Sequence, residues 1–243
     1  MIRTDTLEYS DGSTPLEGFI AYDNAVSGKR PGVLVVPEWY GVNALTRRVG
    51  QRIAALGYLA FGVDLYGKGI RPAGFEAAQK ESAPYYADRA LLRRRGNAAL
   101  EAFCLEPLLD QARIAGIGYC FGGIALLEMA RGGAAFGGLV AFHTQLSTPM
   151  PAPARPGAIK PKVLVLHGAD DPVVPPKEIE DFIKEMRAAK ADWQLVAYGN
   201  AVHSYTNPDM PPDEGGTKPA AYHEPTDRRS WVAMTDFLRE VFA

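Results

Sequence analysis

The pentapeptide Gly118-Tyr119-Cys120-Phe121-Gly122 sets one cysteine between two glycines, where the apolar run "RIAGIGY" gives way to the helical run "FGGIALLEMARG". This is the pattern G-x-Nu-x-G of a nucleophile held on a strand-to-helix turn, with a thiol in place of the more usual hydroxyl. Side chains two residues to either side of such a nucleophile collide with the neighbouring strand and helix, which glycine avoids. The start of the following helix favours a thiolate, the form in which a cysteine attacks. A buried structural cysteine is the competing reading. It loses ground because an acid and a histidine follow in the chain order nucleophile, acid, histidine. "VLVLHGADDPVVP" puts Asp170 and Asp171 in the loop leaving one apolar strand, and "QLVAYGNAVHSY" puts His203 in the loop leaving the next. Asp171 is the preferred acid, with Val174-Pro175 closing its loop, and Asp170 is the alternative. The other histidines have plainer readings: His143 and His167 end apolar strands, and His223 lies in a long loop. A metal site built from His167, Asp170 and Asp171 is disfavoured because the same acids already have a role. No metal or cofactor is expected.

Such residues need a scaffold that brings distant loops together, and the order of elements supplies one. Short β-rich runs alternate with helical patterns, the signature of a largely parallel sheet covered by helices on both faces. "TLEYS" and "LEGFIAY" read as an opening hairpin. "PGVLVVP" is a strand, followed by a helix whose apolar face is Leu45, Val49, Ile53 and Leu56, between Asn43 as N-cap and Gly57 as terminal glycine. "YLAFGVDLYG" reads as the next strand, then a Gly- and Pro-containing stretch, then a helix over Ala87 to Phe103 whose "RRR" is expected to be a solvated basic face. "GLVAFH", "KVLVLHG" and "WQLVAYG" are further strands, with a helix at "PKEIEDFIKEMRAAK" and a closing one through Trp231, Met234, Leu238 and Val241. The expected class is α/β, with a mostly parallel central sheet of about eight strands. Loops at the carboxyl ends of such strands converge on one crevice. Two long irregular stretches, His143 to Pro161 and Asn207 to Thr226, are expected to form its rims or lids.

Composition bounds the partners. A chain of 243 residues with a formal net charge of -2 and both signs interspersed has no basic stripe for nucleic acid. Residues 1–243 read as a single domain. No run approaches the roughly 18 apolar residues of a spanning helix, and the first residues show no secretory pattern, so a cytoplasmic protein without membrane attachment is expected. Two cysteines, Cys104 and Cys120, make no disulfide framework. The expected partner is a small molecule, and the chain is expected to be a monomer or homodimer.

Taken together, the motifs resemble the dienelactone hydrolases of the α/β-hydrolase fold, over nearly the whole chain. "GYCFGG" is similar to the family's cysteine elbow, "HGADDPVVP" to its acid loop and "GNAVHSYTNP" to its histidine loop, and "DRRSW" also matches. "VVPEWYGVN" adds Glu38, at the position of the glutamate that in this family contacts the resting thiol. The resemblance implies Cys120 as nucleophile, His203 as base, Asp171 as the acid orienting it and Glu38 as a gate on the thiol. It also implies hydrolysis of small esters or lactones through a thioester acyl-enzyme. One position departs: the family carries a carboxylate-binding arginine four residues after the histidine, where this chain has Asn207. Arg71, Arg89 and Arg93 to Arg95 offer substitutes without a motif. A neutral ester or lactone therefore fits at least as well as an anionic one.

By the rule of the fold, the backbone N–H groups of Phe121 and Trp39 are expected to form the oxyanion hole. Tyr40, Tyr119 and Tyr205, with Asn207, are expected to line the pocket. The same thiol is a candidate nucleophile toward neutral phosphotriesters. The alternatives are a thioesterase or acyltransferase, and, outside enzymes, a binding module on a hydrolase scaffold.

Overall fold

A computed structural model describes residues 1–149, 155–212 and 218–243. The eight strands form one sheet: β1 (Ile2–Asp11), β2 (Thr14–Asp23), β3 (Arg30–Val36), β4 (Leu59–Gly62), β5 (Leu109–Tyr119), β6 (Gly138–Phe142), β7 (Lys162–Gly168) and β8 (Trp193–Tyr198), in the order β1-β2-β4-β3-β5-β6-β7-β8. The hairpin β1–β2 joins β4 antiparallel, and every pair from β4–β3 to β7–β8 is parallel.

The central strands are apolar on both faces, and the period of two sorts their side chains between two cores. In β3, Val33 and Val35 join one core while Leu34 and Val36 join the other. The first core is closed by α1 (Ala44–Ala55) and α6 (Glu224–Phe242), through Val49, Ile53, Met234 and Leu238. The second is closed by α2 (Phe75–Ala87), α3 (Arg89–Cys104), α4 (Phe121–Arg131) and α5 (Pro176–Ala188), through Tyr85, Leu92, Phe103, Ile124 and Phe182. Asn43 caps α1 as expected, accepting from the Thr46 N–H at 3.0 Å.

Two expectations need correction. The stretch before Ala87 is largely helical: α2 occupies Phe75–Ala87, although it starts at Gly74 without a side-chain cap and contains Pro84. The arginine run on α3 is only in part a solvated face: Arg94 is exposed, Arg93 is half-buried and Arg95 is buried. Arg93 donates to Glu128 at 3.1 Å, and Arg94 and Arg95 donate to Asp11 at 2.8 and 2.7 Å, with Arg89 and Arg95 buried. The helix lies between the hairpin and α4, so its polar side has partners. The expected rims fall in part on residues 150–154 and 213–217, which lie outside the described residues.

Candidate active site

Cys120 sits between the end of β5 and the first residue of α4, with φ 49° and ψ -111°. A non-glycine residue there carries strain of about 1–3 kcal/mol, which the surrounding close packing holds in place. A Cβ on Gly118 would come within 2.5 Å of the Gly122 backbone, and one on Gly122 within 2.2 Å of the Val36 carbonyl oxygen. Both glycines of the pentapeptide are thus demanded by contact, as the sequence pattern requires.

The loops after β5, β7 and β8 meet at the carboxyl end of the sheet. His203 Nε2 lies 3.1 Å from Cys120 Sγ, and His203 Nδ1 lies 2.8 Å from Asp171 Oδ2. The other Asp171 oxygen accepts the Val173 N–H at 2.8 Å, which fixes the carboxylate. Asp170 is elsewhere: it accepts the Asn200 N–H at 2.8 Å and braces the loop between β8 and His203. Burial alone disfavours a charged His203 ring, but the Cys120 charge at Nε2 and the Asp171 carboxylate at Nδ1 outweigh it. The imidazole is held well above its ordinary range.

Glu38 is buried just after β3, and its carboxylate accepts from Asn207 Nδ2 at 3.2 Å and Ser204 Oγ at 3.4 Å. Burial raises its pKa, against the charge of His203 and the two hydrogen bonds. The side-chain partner of Cys120 is His203 rather than Glu38, so the thiol is engaged with the imidazole in this conformation. Asn207, at the position where the family's arginine would stand, holds Glu38. The N–H groups of Phe121 and Trp39 make no hydrogen bond among the described residues, so both donors are available.

The model of the dienelactone hydrolase family matches residues 16–242. The chain belongs to this family. It is accordingly a hydrolase acting on ester or lactone bonds, built on the α/β-hydrolase fold. A dienelactone hydrolase-like promiscuous phosphotriesterase, P91, from metagenomic libraries is 38% identical over 100% of this chain and 99% of its own, with a TM-score of 0.93. The solved structure called m3DLH is 40% identical over the same shares, also with a TM-score of 0.93. A Salmonella typhimurium protein assigned provisionally as a carboxymethylenebutenolidase is 27% identical over 99% of this chain and 91% of its own.

In this hydrolase Cys120 and His203 open onto a cavity of about 500 Å³, bordered by Glu38, Trp39, Tyr40, Phe75, Tyr86 and Val173 on one side and by Asn207, Met210 and Lys218–Ala220 on another. Trp39, Tyr40 and Asn207 border this cavity. Tyr119 and Tyr205 do not. Alternation along β5 turns Tyr119 to the α1/α6 side with Ala115 and Ile117, where it stacks on Phe142 at 4.5 Å. Tyr205 is fully buried and donates to the Leu166 carbonyl at 3.0 Å.

The pocket residues that the sequence does not reveal are mainly Phe75 and Tyr86, which lie on α2 in the Gly- and Pro-containing stretch. Phe75 is 61% exposed and meets Trp39 edge-on at 5.1 Å. Ser204 was legible only as the neighbour of His203. His143 lies deeper, edge-on to His203 at 5.2 Å, its Nε2 paired with Thr206 Oγ1 at 2.8 Å. Burial holds His143 well below the ordinary imidazole range and therefore neutral, so it adds no charge behind His203. None of the candidate arginines borders the cavity. Arg71 donates to the Gly67, Ile70 and Glu17 carbonyls, and the Arg89 guanidinium lies over the Tyr86 ring, 5.0 Å from its centroid.

Proposed function

We propose that this protein hydrolyses small neutral esters or lactones through a thioester on Cys120. The observation that carries the reading is the unbroken line Sγ–Nε2, 3.1 Å, and Nδ1–Oδ2, 2.8 Å, at a strained strand-to-helix turn. His203 Nε2 takes the proton of the Cys120 thiol, and the thiolate attacks the carbonyl carbon. The Phe121 and Trp39 N–H groups stabilise the oxyanion as the C=O π bond opens. Collapse re-forms the C=O bond and breaks the ester C–O bond, and the departing alkoxide takes the proton from the His203 imidazolium. Water then gives a proton to His203 and attacks the thioester, and the thiolate leaves as the acid forms. Asp171 keeps one tautomer and orientation of His203 throughout.

Neutral substrates are favoured by the cavity. Asn207 is committed to Glu38, and the lining is largely apolar. Amides are expected to be poor substrates, because the tetrahedral intermediate expels the thiolate more readily than an amine anion. A second reading, turnover of neutral phosphotriesters by the same thiol, is favoured by the 38% identity to the promiscuous phosphotriesterase.

Hydrolysis of p-nitrophenyl acetate tests the reading. Wild-type protein is expected to turn over, and both Cys120→Ala and iodoacetamide treatment should lower the rate by about 10³-fold or more. Activity that survives loss of Cys120 would sink the assignment, and a protein inert toward esters, with its fold intact, would favour the non-catalytic scaffold. Paraoxon turnover sensitive to Cys120 alkylation is the matching test of the second reading.

A further inference from the structure

A second cavity borders the same glutamate. It measures about 230 Å³ and lies beneath α1, with Val35, Pro37, Leu45 and Val49 as its apolar lining. Glu38 borders both cavities, whereas Cys120 and His203 border only the larger. The smaller one is wide enough for a ring, since an apolar cavity of roughly 150 Å³ admits benzene.

Its polar groups specify more than a ring. Tyr119 is only 7% exposed, borders this cavity and has no hydrogen bond to its hydroxyl among the described residues. The Glu38 carboxylate has two donors, at 3.2 and 3.4 Å. Both are long beside the roughly 2.7–2.9 Å of charge-assisted bonds, and a carboxylate has acceptor sites for about four donors. One hydroxyl group could serve both residues, donating to Glu38 and accepting from Tyr119. The site disfavours an anion: Asp227 borders the cavity as well, and both carboxyls are already burdened by burial. Arg48 at its mouth is paired with Asp209 at 2.6 Å, and Arg52 lies over the Trp231 ring at 3.5 Å.

We propose that this cavity is a second ligand site, which takes a small neutral ring bearing one hydroxyl group, of the phenol or aryl alcohol class. The apolar lining receives the ring, and the hydroxyl bridges Tyr119 and Glu38. Phenols are also the leaving groups of aryl esters, so the site links product binding to a carboxylate that also lines the cavity of Cys120. That link rests on the larger cavity being the catalytic one.

The test is ¹⁹F NMR of 4-fluorophenol added to full-length protein whose Cys120 has been carboxamidomethylated, which caps the thiol and narrows the larger cavity beside it. Line broadening is expected to survive the modification. It should weaken about tenfold in Tyr119→Phe, the equivalent of one lost hydrogen bond, and vanish in Leu45→Trp, which fills the cavity. Three results would overturn the proposal: no broadening at millimolar ligand, broadening lost on alkylation, or broadening indifferent to both substitutions. None of these touches ester hydrolysis by unmodified Cys120, so the catalytic reading stands or falls separately.

Discussion

Glu38 is the residue whose environment has the clearest consequence in solution. It is buried, and burial raises its pKa despite the nearby His203 charge and the bonds from Ser204 and Asn207. A carboxyl with a raised folded-state pKa binds more protons in the folded than in the unfolded chain, so stability falls as pH rises from near 4.5, the ordinary glutamate value, through the raised one. Glu38→Gln removes that dependence while keeping an oxygen to accept from Asn207. Thermal melts from pH 4 to pH 8 should show the variant gaining on the wild type as pH rises, with the gain lost at the acid end. A difference that is flat, or reversed, would contradict the raised value. The two candidate acids also part at this scale. "ADDP" offers two aspartates one residue apart, and only the turn that directs Asp170 to Asn200 leaves Asp171 facing His203.

The junction of β5 and α4 decides whether the thiol is presented at all. The residue at the turn has positive φ, and Gly118 stands where any side chain would strike the Gly122 and Gly123 backbone. Backbone cannot swing aside as a flexible side chain does, so Gly118→Ala is expected to cost about 3 kcal/mol or more. Calorimetry should show the loss of stability, and iodoacetamide should modify Cys120 at an altered rate. Wild-type stability in this variant would mean that the turn is looser than its geometry. This junction was fully legible in the sequence, because apolar period, glycine spacing and helix pattern agree there. The α2 helix was not, since Gly74 offers no capping side chain and Pro84 interrupts its interior. Its contribution to the pocket, Phe75 and Tyr86, went unread with it. Tyr119 and Tyr205 failed for a different reason: adjacency to Cys120 and His203 in sequence says nothing about which face a strand or turn offers its side chain.

Across the whole molecule, a buried ionic network ties three helices on one side of the sheet. Arg93 of α3 and Arg131 of α4 both donate to Glu128 of α4 at 3.1 Å, and Arg131 also donates to Glu185 of α5 at 2.8 Å. Glu128 is fully buried. Removing one member of such a network leaves buried charge uncompensated, at a cost of about 3–5 kcal/mol. For a chain of this length that lowers Tm by on the order of 10 °C, so Glu128→Ala should melt well below the wild type in differential scanning calorimetry. An unchanged Tm would show the network to be dispensable. The overall architecture followed from the alternation of strand and helix patterns, and the network did not, because single charges in a sequence do not announce their partners. Among the described residues no helix is long and apolar enough to cross a membrane.

The central claim is covalent: the acyl group of the substrate passes through Cys120. Mass spectrometry of protein quenched during p-nitrophenyl acetate turnover, followed by peptide mapping, tests it directly. One acetyl group is expected on the peptide carrying Cys120 of the wild type, and none on that peptide in Cys120→Ala. Rapid turnover with acetyl found on another residue, or with no acetyl-enzyme in the wild type, would contradict the account.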